Sequence, residues 1–315
     1  MSTIEGVTLP PELLLEVFSH LEDGGQVDQQ SLKNSTLVCR AWADPAQSVL
    51  WQSGAVLEGD KDVKKFIGTA SRRRVGAKEI SVYGLRNVKL LEKLWDSIAG
   101  VENLTIVCEG GSISAKTFNH PALSDLKSLG LRGTLAPFDP IIRLPFQLTR
   151  LNVADEGIRT RHLASFLSTI AKSSTSTLRS LSLLSVSRPS HSEVSTAILP
   201  FAPNLRHIGL TISSGDAPPY VAVFEAATSL KSFECTSLPL SLLHSLPTSL
   251  VGFATGEDER SIDLDQLKLG LLRLPRLERL YFTCSREGFG RLQGGNEFVA
   301  EMEKKGVVWN FAEDY

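Results

Sequence analysis

Six histidines, at positions 20, 120, 162, 191, 207 and 244, and four cysteines, at 39, 108, 235 and 284, are the side chains of this 315-residue chain best suited to ligate metal or attack an electrophile. Their spacing speaks against both uses. No two histidines stand in the H-x-x-x-H relation that puts two imidazoles on one helical face around zinc. No two cysteines form C-x-x-C, so they read as isolated thiols, buried and reduced, rather than as bridges or ligands. There is no G-x-x-x-x-G-K-[ST] loop to cradle a phosphate. Gly288, Gly290 and Gly294 have the wrong spacing for a dinucleotide turn and read as a flexible loop. No G-x-S-x-G elbow presents a serine. Asp258, Glu259, Asp263 and Asp265 cluster, and such residues suit a helix start, where the backbone's partial positive charge favours them. The expectation is a chain with no catalytic residues, no metal site and no cofactor, and so not an enzyme.

The totals narrow the partners. The 33 Lys and Arg against 35 Asp and Glu leave a formal charge of −2, with no general pull toward nucleic acid or a membrane surface. Aromatic and basic residues do not interleave as a base-stacking surface requires. Lys64-Lys65 and Arg72-Arg73-Arg74 read as a solvated helix end or linker. An apolar content of 42% supports a substantial core. The N-terminus lacks a basic start followed by an apolar segment, so no signal peptide is expected. No apolar run approaches the roughly 20 residues that span a bilayer. The sequons at Asn34 and Asn103 are accidental in a cytoplasmic or nuclear chain, the location that reduced thiols imply.

What remains to be positioned is apolar surface. Residues 9–21 read LPPELLLEVFSHL, and Pro10 and Pro11 open a helix where a missing N–H costs nothing. Leu13, Leu14, Leu15, Val17, Phe18 and Leu21 cover an arc of roughly 200°, whereas a helix facing a single core needs little more than about 100°. A segment of about 45 residues cannot bury so much alone. Either the rest of the chain covers the second face, or another chain does.

The spaced elements Leu9-Pro10, Glu12-Leu13-Leu14, Val17-Phe18, Leu21, Leu37-Val38-Cys39-Arg40-x-Trp42 and Leu50-Trp51 resemble an F-box. The resemblance covers about one seventh of the chain. It implies a three-helix module over residues 1–55 that binds a Skp-type adaptor, and through it a cullin, in a Skp–cullin–F-box ubiquitin ligase. The adaptor contacts it implies are Leu9, Pro10, Leu13, Leu14, Val17, Phe18, Leu37, Val38 and Trp42. Gly24-Gly25 makes the break after the first helix longer than in the shortest F-boxes.

From residue 77 a phrase recurs, apolar-x-x-apolar-x-apolar. It begins at Ala77, Val101, Leu126, Leu148, Leu178, Leu205, Leu230, Leu250, Leu277 and Gly306. The mean step is about 25 residues, inside the period of leucine-rich repeats. Between phrases, Val88–Ala99, Arg161–Ala171, Val221–Ala227, Leu264–Leu274 and Glu297–Lys304 have helical spacing. The expected fold is therefore α/β: a three-helix F-box, then over residues 56–315 a leucine-rich-repeat solenoid of about ten strand units, with a parallel sheet on its concave face. The repeats resemble those of F-box proteins but lack the usual Asn or Cys eight positions into the repeat. The F-box would cap the first coil, and the tail Ala312–Tyr315 the last strand. A doubly wound α/β domain also alternates strand and helix, but wants a Gly-rich first turn that is missing here.

In each phrase the fourth and sixth residues point to the core, and the third, fifth and seventh to the open face. On that face Arg132, Arg150, His207, Arg279 and Tyr281 are the large anchors, of the types that dominate interface energy, and are the expected contacts to an unknown protein substrate. Neither nucleic acid nor membrane is an expected partner. Two readings follow: a substrate receptor of a ubiquitin ligase, or a repeat scaffold with no ubiquitin link whose N-terminal helices are only a cap.

Overall fold

The computed structural model describes residues 9–23, 26–27, 29–39, 41–43, 45–46, 49, 54–73, 76–139, 141–154, 160–184, 191–212, 218–237, 240–256 and 262–311. The first described helix is Pro11–Ser19, with Pro10 in extended conformation as its N-cap residue. Its chain leaves through β1 (Glu22–Asp23), which pairs antiparallel with β2 (Gln26–Val27) on either side of the Gly-Gly break. A second helix, Gln29–Val38, and helical residues at 41–43, 45–46 and 49 complete the module. Leu14, Phe18, Leu32, Ala46 and Val49 form its core, with Leu21 and Trp42 packed against them. The Phe18 and Trp42 rings meet edge to face, centroids 5.6 Å apart. This core is separate from the one that fills the rest of the chain.

The remaining strands form one parallel sheet: β3 (Ala55–Glu58), β4 (Glu79–Leu85), β5 (Asn103–Ile113), β6 (Ser128–Leu135), β7 (Arg150–Val153), β8 (Ser180–Leu183), β9 (His207–Leu210), β10 (Ser232–Cys235), β11 (Gly252–Thr255), β12 (Arg279–Phe282) and β13 (Val308–Phe311). Its eleven strands lie in chain order from β3 to β13. A doubly wound sheet reverses order at a switch point, so that alternative is excluded.

Register follows the apolar phrase. Ile80, Leu104, Leu129, Leu151, Leu181, Ile208, Phe233, Phe253, Leu280 and Trp309 stand opposite one another in a single row across β4 to β13, and all ten are buried. A second ladder precedes the strands. The carbonyl of Lys127 accepts the N–H of both Thr149 and Arg150; that of Arg179 accepts from Arg206 and His207, and that of Arg206 from Lys231 and Ser232. A one-residue slip would exchange the core row for the open face, so burial and hydrogen bonding enforce the same register.

Helices follow most strands: Lys89–Ser97, Thr160–Ser174, Val221–Ala226, Leu264–Leu272 and Gly295–Lys304 lie close to the expected spans. Trp95, fully buried, donates its Nε1–H to the Thr117 carbonyl at 2.7 Å and so ties one inter-strand segment to the next. Asp60 Oδ1 accepts the backbone N–H of Arg86 and Asn87 at 3.0 and 3.1 Å. Those two bonds hold its carboxyl below the usual range.

Four expectations are corrected. The sheet has eleven strands rather than about ten: β3 escapes the phrase because Gln52 stands where an apolar residue is required, yet Ala55 pairs with Ile80 and Leu57 with Val82. Of the two readings of the charged run after Gly59, the linker falls and the helix end stands: Gly59–Arg73 is a helix that buries Val63, Phe66 and Ala70 at helical spacing, with Arg72 and Arg73 as its last residues. Gly288 and Gly290 lie in a short helix, Arg286–Gly290, not in a flexible loop; only Gly294, at φ +82°, takes the left-handed turn that leads into the next helix. Cys39 is exposed, while Cys108, Cys235 and Cys284 are buried. Burial pushes the Cys108 thiol up to about 11. Asp258, Glu259 and the tail 312–315 lie outside the described residues. Asp263 does start a helix, its side chain accepting the Gln266 N–H at 3.1 Å.

Leu181 sits mid-row between Leu151 and Ile208 with no exposure. Leu181→Ala is expected to cost about 2–5 kcal/mol of unfolding free energy in urea titration, as for other buried leucines. A loss under about 1 kcal/mol would mean the row is not continuously packed.

Candidate functional site

Two surfaces stand out, one on the N-terminal module and one on the sheet. In the first helix two pairs at i, i+4 face different ways. Leu14 and Phe18 point into the module's core. Leu13 and Val17 sit 47% and 52% exposed, with Leu9 and Leu15 exposed beside them in sequence. At the end of the second helix Leu37 and Val38 are 83% and 62% exposed. These six are half of the twelve exposed large hydrophobic residues among the described residues, although they fall within thirty positions of a 315-residue chain.

Of the nine expected adaptor contacts, Leu9, Pro10, Leu13, Val17, Leu37 and Val38 are therefore exposed, and Trp42 is half-buried. Leu14 and Phe18 are held inside the module's core, which fixes the face that the helix turns outward. Leu15 belongs with the exposed set. Its place in the wide apolar arc was the signal for it.

On the sheet, helices cover one face and the other is open. Arg150, His207 and Arg279 fall in one row, linked through Ser180, Ser232 and Gly252. At the usual strand spacing Arg150 and His207 are about 10 Å apart, and His207 and Arg279 about 14 Å. Tyr281 lies one row along, opposite Ala254, and Arg132 on β6 faces Val107 of β5, so these two stand outside the row. The floor between the anchors is made of small residues. A Cβ on Gly209 would lie 3.0 Å from Ser182 Oγ, and one on Gly252 3.9 Å from a guanidinium nitrogen of Arg279. The Arg279 side chain lies over Gly252, at ordinary van der Waals distance from where a Cβ would stand. His207 is half-buried. Burial lowers its pKa, Arg150 lowers it further, and Glu234 acts in the opposite sense.

A cleft of about 570 Å³ opens where β3, β4 and β5 end, lined by Glu58, Gly59, Asp60, Lys61, Tyr83, Gly84, Arg86 and Glu109. Three of its ionisable groups are already engaged: Arg86 pairs with Glu109 at 3.5 Å, and Asp60 accepts two backbone N–H bonds. Among the described residues no three His, Cys, Asp or Glu side chains gather as a metal site would need. Nor is any helix among them long and apolar enough to cross a membrane.

Residues 7–54 match the family model described as F-box-like. That span contains the whole N-terminal module and its six exposed apolar residues. A comparison with curated proteins finds no match for the chain.

The His207 shift has a definite consequence for stability. Its folded-state pKa lies below the ordinary 6.5, so as pH falls through 6.5 the unfolded chain takes up the proton first and stability drops. His207→Gln is expected to flatten that part of the pH profile in urea titrations between about pH 7.5 and 5. An unchanged slope would place the imidazole in water.

Proposed function

We propose that this chain is the substrate-recognition subunit of a Skp–cullin–F-box type ubiquitin ligase. Residues 9–51 bind the Skp-type adaptor, the strand array is a leucine-rich-repeat solenoid that holds a protein substrate, and the chain itself performs no chemistry. Its contribution is to keep a substrate next to a ubiquitin-charged enzyme, which turns an encounter in solution into an intramolecular one. Such a subunit works in the cytoplasm or nucleus.

The observation that carries this reading is the apolar strip left over once the N-terminal module has filled its own core: Leu9, Leu13, Leu15, Val17, Leu37 and Val38. Covering half-exposed leucines and valines is worth about 1 kcal/mol each, so six of them supply several kcal/mol to a partner. The F-box-like match over the same residues gives the partner's class. The repeat reading rests on the phrase period and on strands that pair only with their neighbours in chain order. The competing reading, a scaffold whose first helices only cap the array, requires Leu13, Val17, Phe18 and Trp42 all to be buried within the chain; Phe18 is buried and Trp42 half-buried, but Leu13 and Val17 are half exposed.

Leu13→Asp with Val17→Asp is expected to abolish co-purification with a Skp-type adaptor while changing the unfolding free energy by no more than about 0.5 kcal/mol, as for surface sites. Phe18→Asp is expected to unfold the module and cannot separate binding from folding. Undiminished capture of the adaptor by the double variant, or no capture by the wild type, would remove the ligase reading.

A further inference from the structure

The position just before each strand, whose carbonyl forms the hydrogen-bonded ladder, also lines up side chains at one rim of the sheet. From β4 onward the residues are Lys78, Glu102, Lys127, Thr149, Arg179, Arg206, Lys231, Val251 and Glu278. The early rungs alternate in sign, and there the charges pair: Lys127 Nζ meets Glu102 at 2.6 Å. The middle rungs do not alternate. Arg179, Arg206 and Lys231 follow one another on adjacent strands, and Arg150 extends the cationic run onto the strand before. Among the described residues none of the four has a carboxylate within ion-pair distance. Among the described residues their one side-chain hydrogen bond runs from the Arg179 guanidinium to the neighbouring Leu178 carbonyl at 3.3 Å. Arg150, Arg206 and Lys231 are exposed and Arg179 half-buried.

Like charges on neighbouring rungs repel, and the pairing that relieves this at Lys127 is missing here. The run is not a reflection of overall charge, since the chain as a whole is at −2. A surface that concentrates unpaired cations in a net acidic protein is one that an anion covers.

We infer that the rim formed by Arg150, Arg179, Arg206 and Lys231 docks an acidic, Asp- and Glu-rich segment of a protein partner, laid across β7 to β10. Four strands at the usual spacing span about 14 Å, which an extended segment of some five residues covers. A polypeptide fits better than a nucleic acid, because no aromatic side chain is interleaved with these four positions to stack a base. The same rim adjoins His207 and the small-residue floor, so the rest of such a partner would reach the open face. This inference rests on the proposal that the sheet holds substrate, but not on the adaptor.

The test is fluorescence anisotropy of the full chain with a labelled peptide of about ten residues, rich in Asp and Glu, against a Ser/Gly peptide of equal length and a single-stranded oligonucleotide. Binding is expected for the acidic peptide only, weakening about tenfold or more between about 50 and 500 mM salt. Arg179→Glu/Arg206→Glu/Lys231→Glu, and the milder triple change to Gln, are expected to weaken it by at least about tenfold, with the Gln variant guarding against misfolding. Lys64→Glu/Lys65→Glu/Lys93→Glu, an equal charge change on exposed helix positions, is expected to leave binding in place. No binding of the acidic peptide, tighter binding of the oligonucleotide, or equal losses in the rim and helix variants would overturn the inference. Intact peptide binding in a chain that fails to capture the adaptor would overturn the ligase proposal alone.

Discussion

Parallel pairing in chain order is the constraint on which the rest of the fold depends. Each inner strand of this sheet finds its partners in the strands just before and just after it, and the apolar residues of the central row on β4 to β12 lie against a neighbour on both sides. No strand can bury its core residues alone, so the array is stable only as a stack. The same arrangement leaves two ends. Val56 on β3 and Val308 on β13 are among the exposed apolar residues, as expected of edge strands. It also leaves an open face, floored in part by glycines and serines, on which the Arg279 side chain lies beside Gly252.

The N-terminal module obeys a different economy of surface. Its core holds five fully buried apolar residues, with Leu21 and Trp42 at the margin. That is a small core for a unit with this much leucine and valine, and the remainder lies outside. Leu14 and Phe18 against Leu13 and Val17 show how one helix serves two faces: a step of one residue turns a side chain by about 100°. Exposed apolar surface and folding core are thus supplied by neighbouring residues on the same helix.

Much of this was legible in the chain. The apolar phrase predicts the register of nine strand pairings because period-2 alternation and a buried face leave a single solution. Helix spans came within a few residues because their apolar residues recur at i, i+3 and i+4. β3 was not legible, since Gln52 breaks the phrase at its first position and the strand has only two inward residues. The helix Gly59–Arg73 was hidden by its charged residues, which are nearly half of its length, although Val63, Phe66 and Ala70 are its buried stripe. The wide arc of the first helix announced two faces but not which residue served which, because that depends on where the second helix and Trp42 pack. The rim cations were visible as Leu-Arg-Ser, Leu-Arg-His and Leu-Lys-Ser, yet only the ladder shows them to be adjacent.

On the proposed function, the N-terminal apolar strip is covered by another chain. Hydrogen–deuterium exchange of the full chain, with and without a Skp-type adaptor, tests it most directly. The account predicts new protection in peptides covering residues 9–21 and 31–43, with exchange in β4 to β13 unchanged. Protection confined to the sheet, or none in the N-terminal peptides at saturating adaptor, would contradict it.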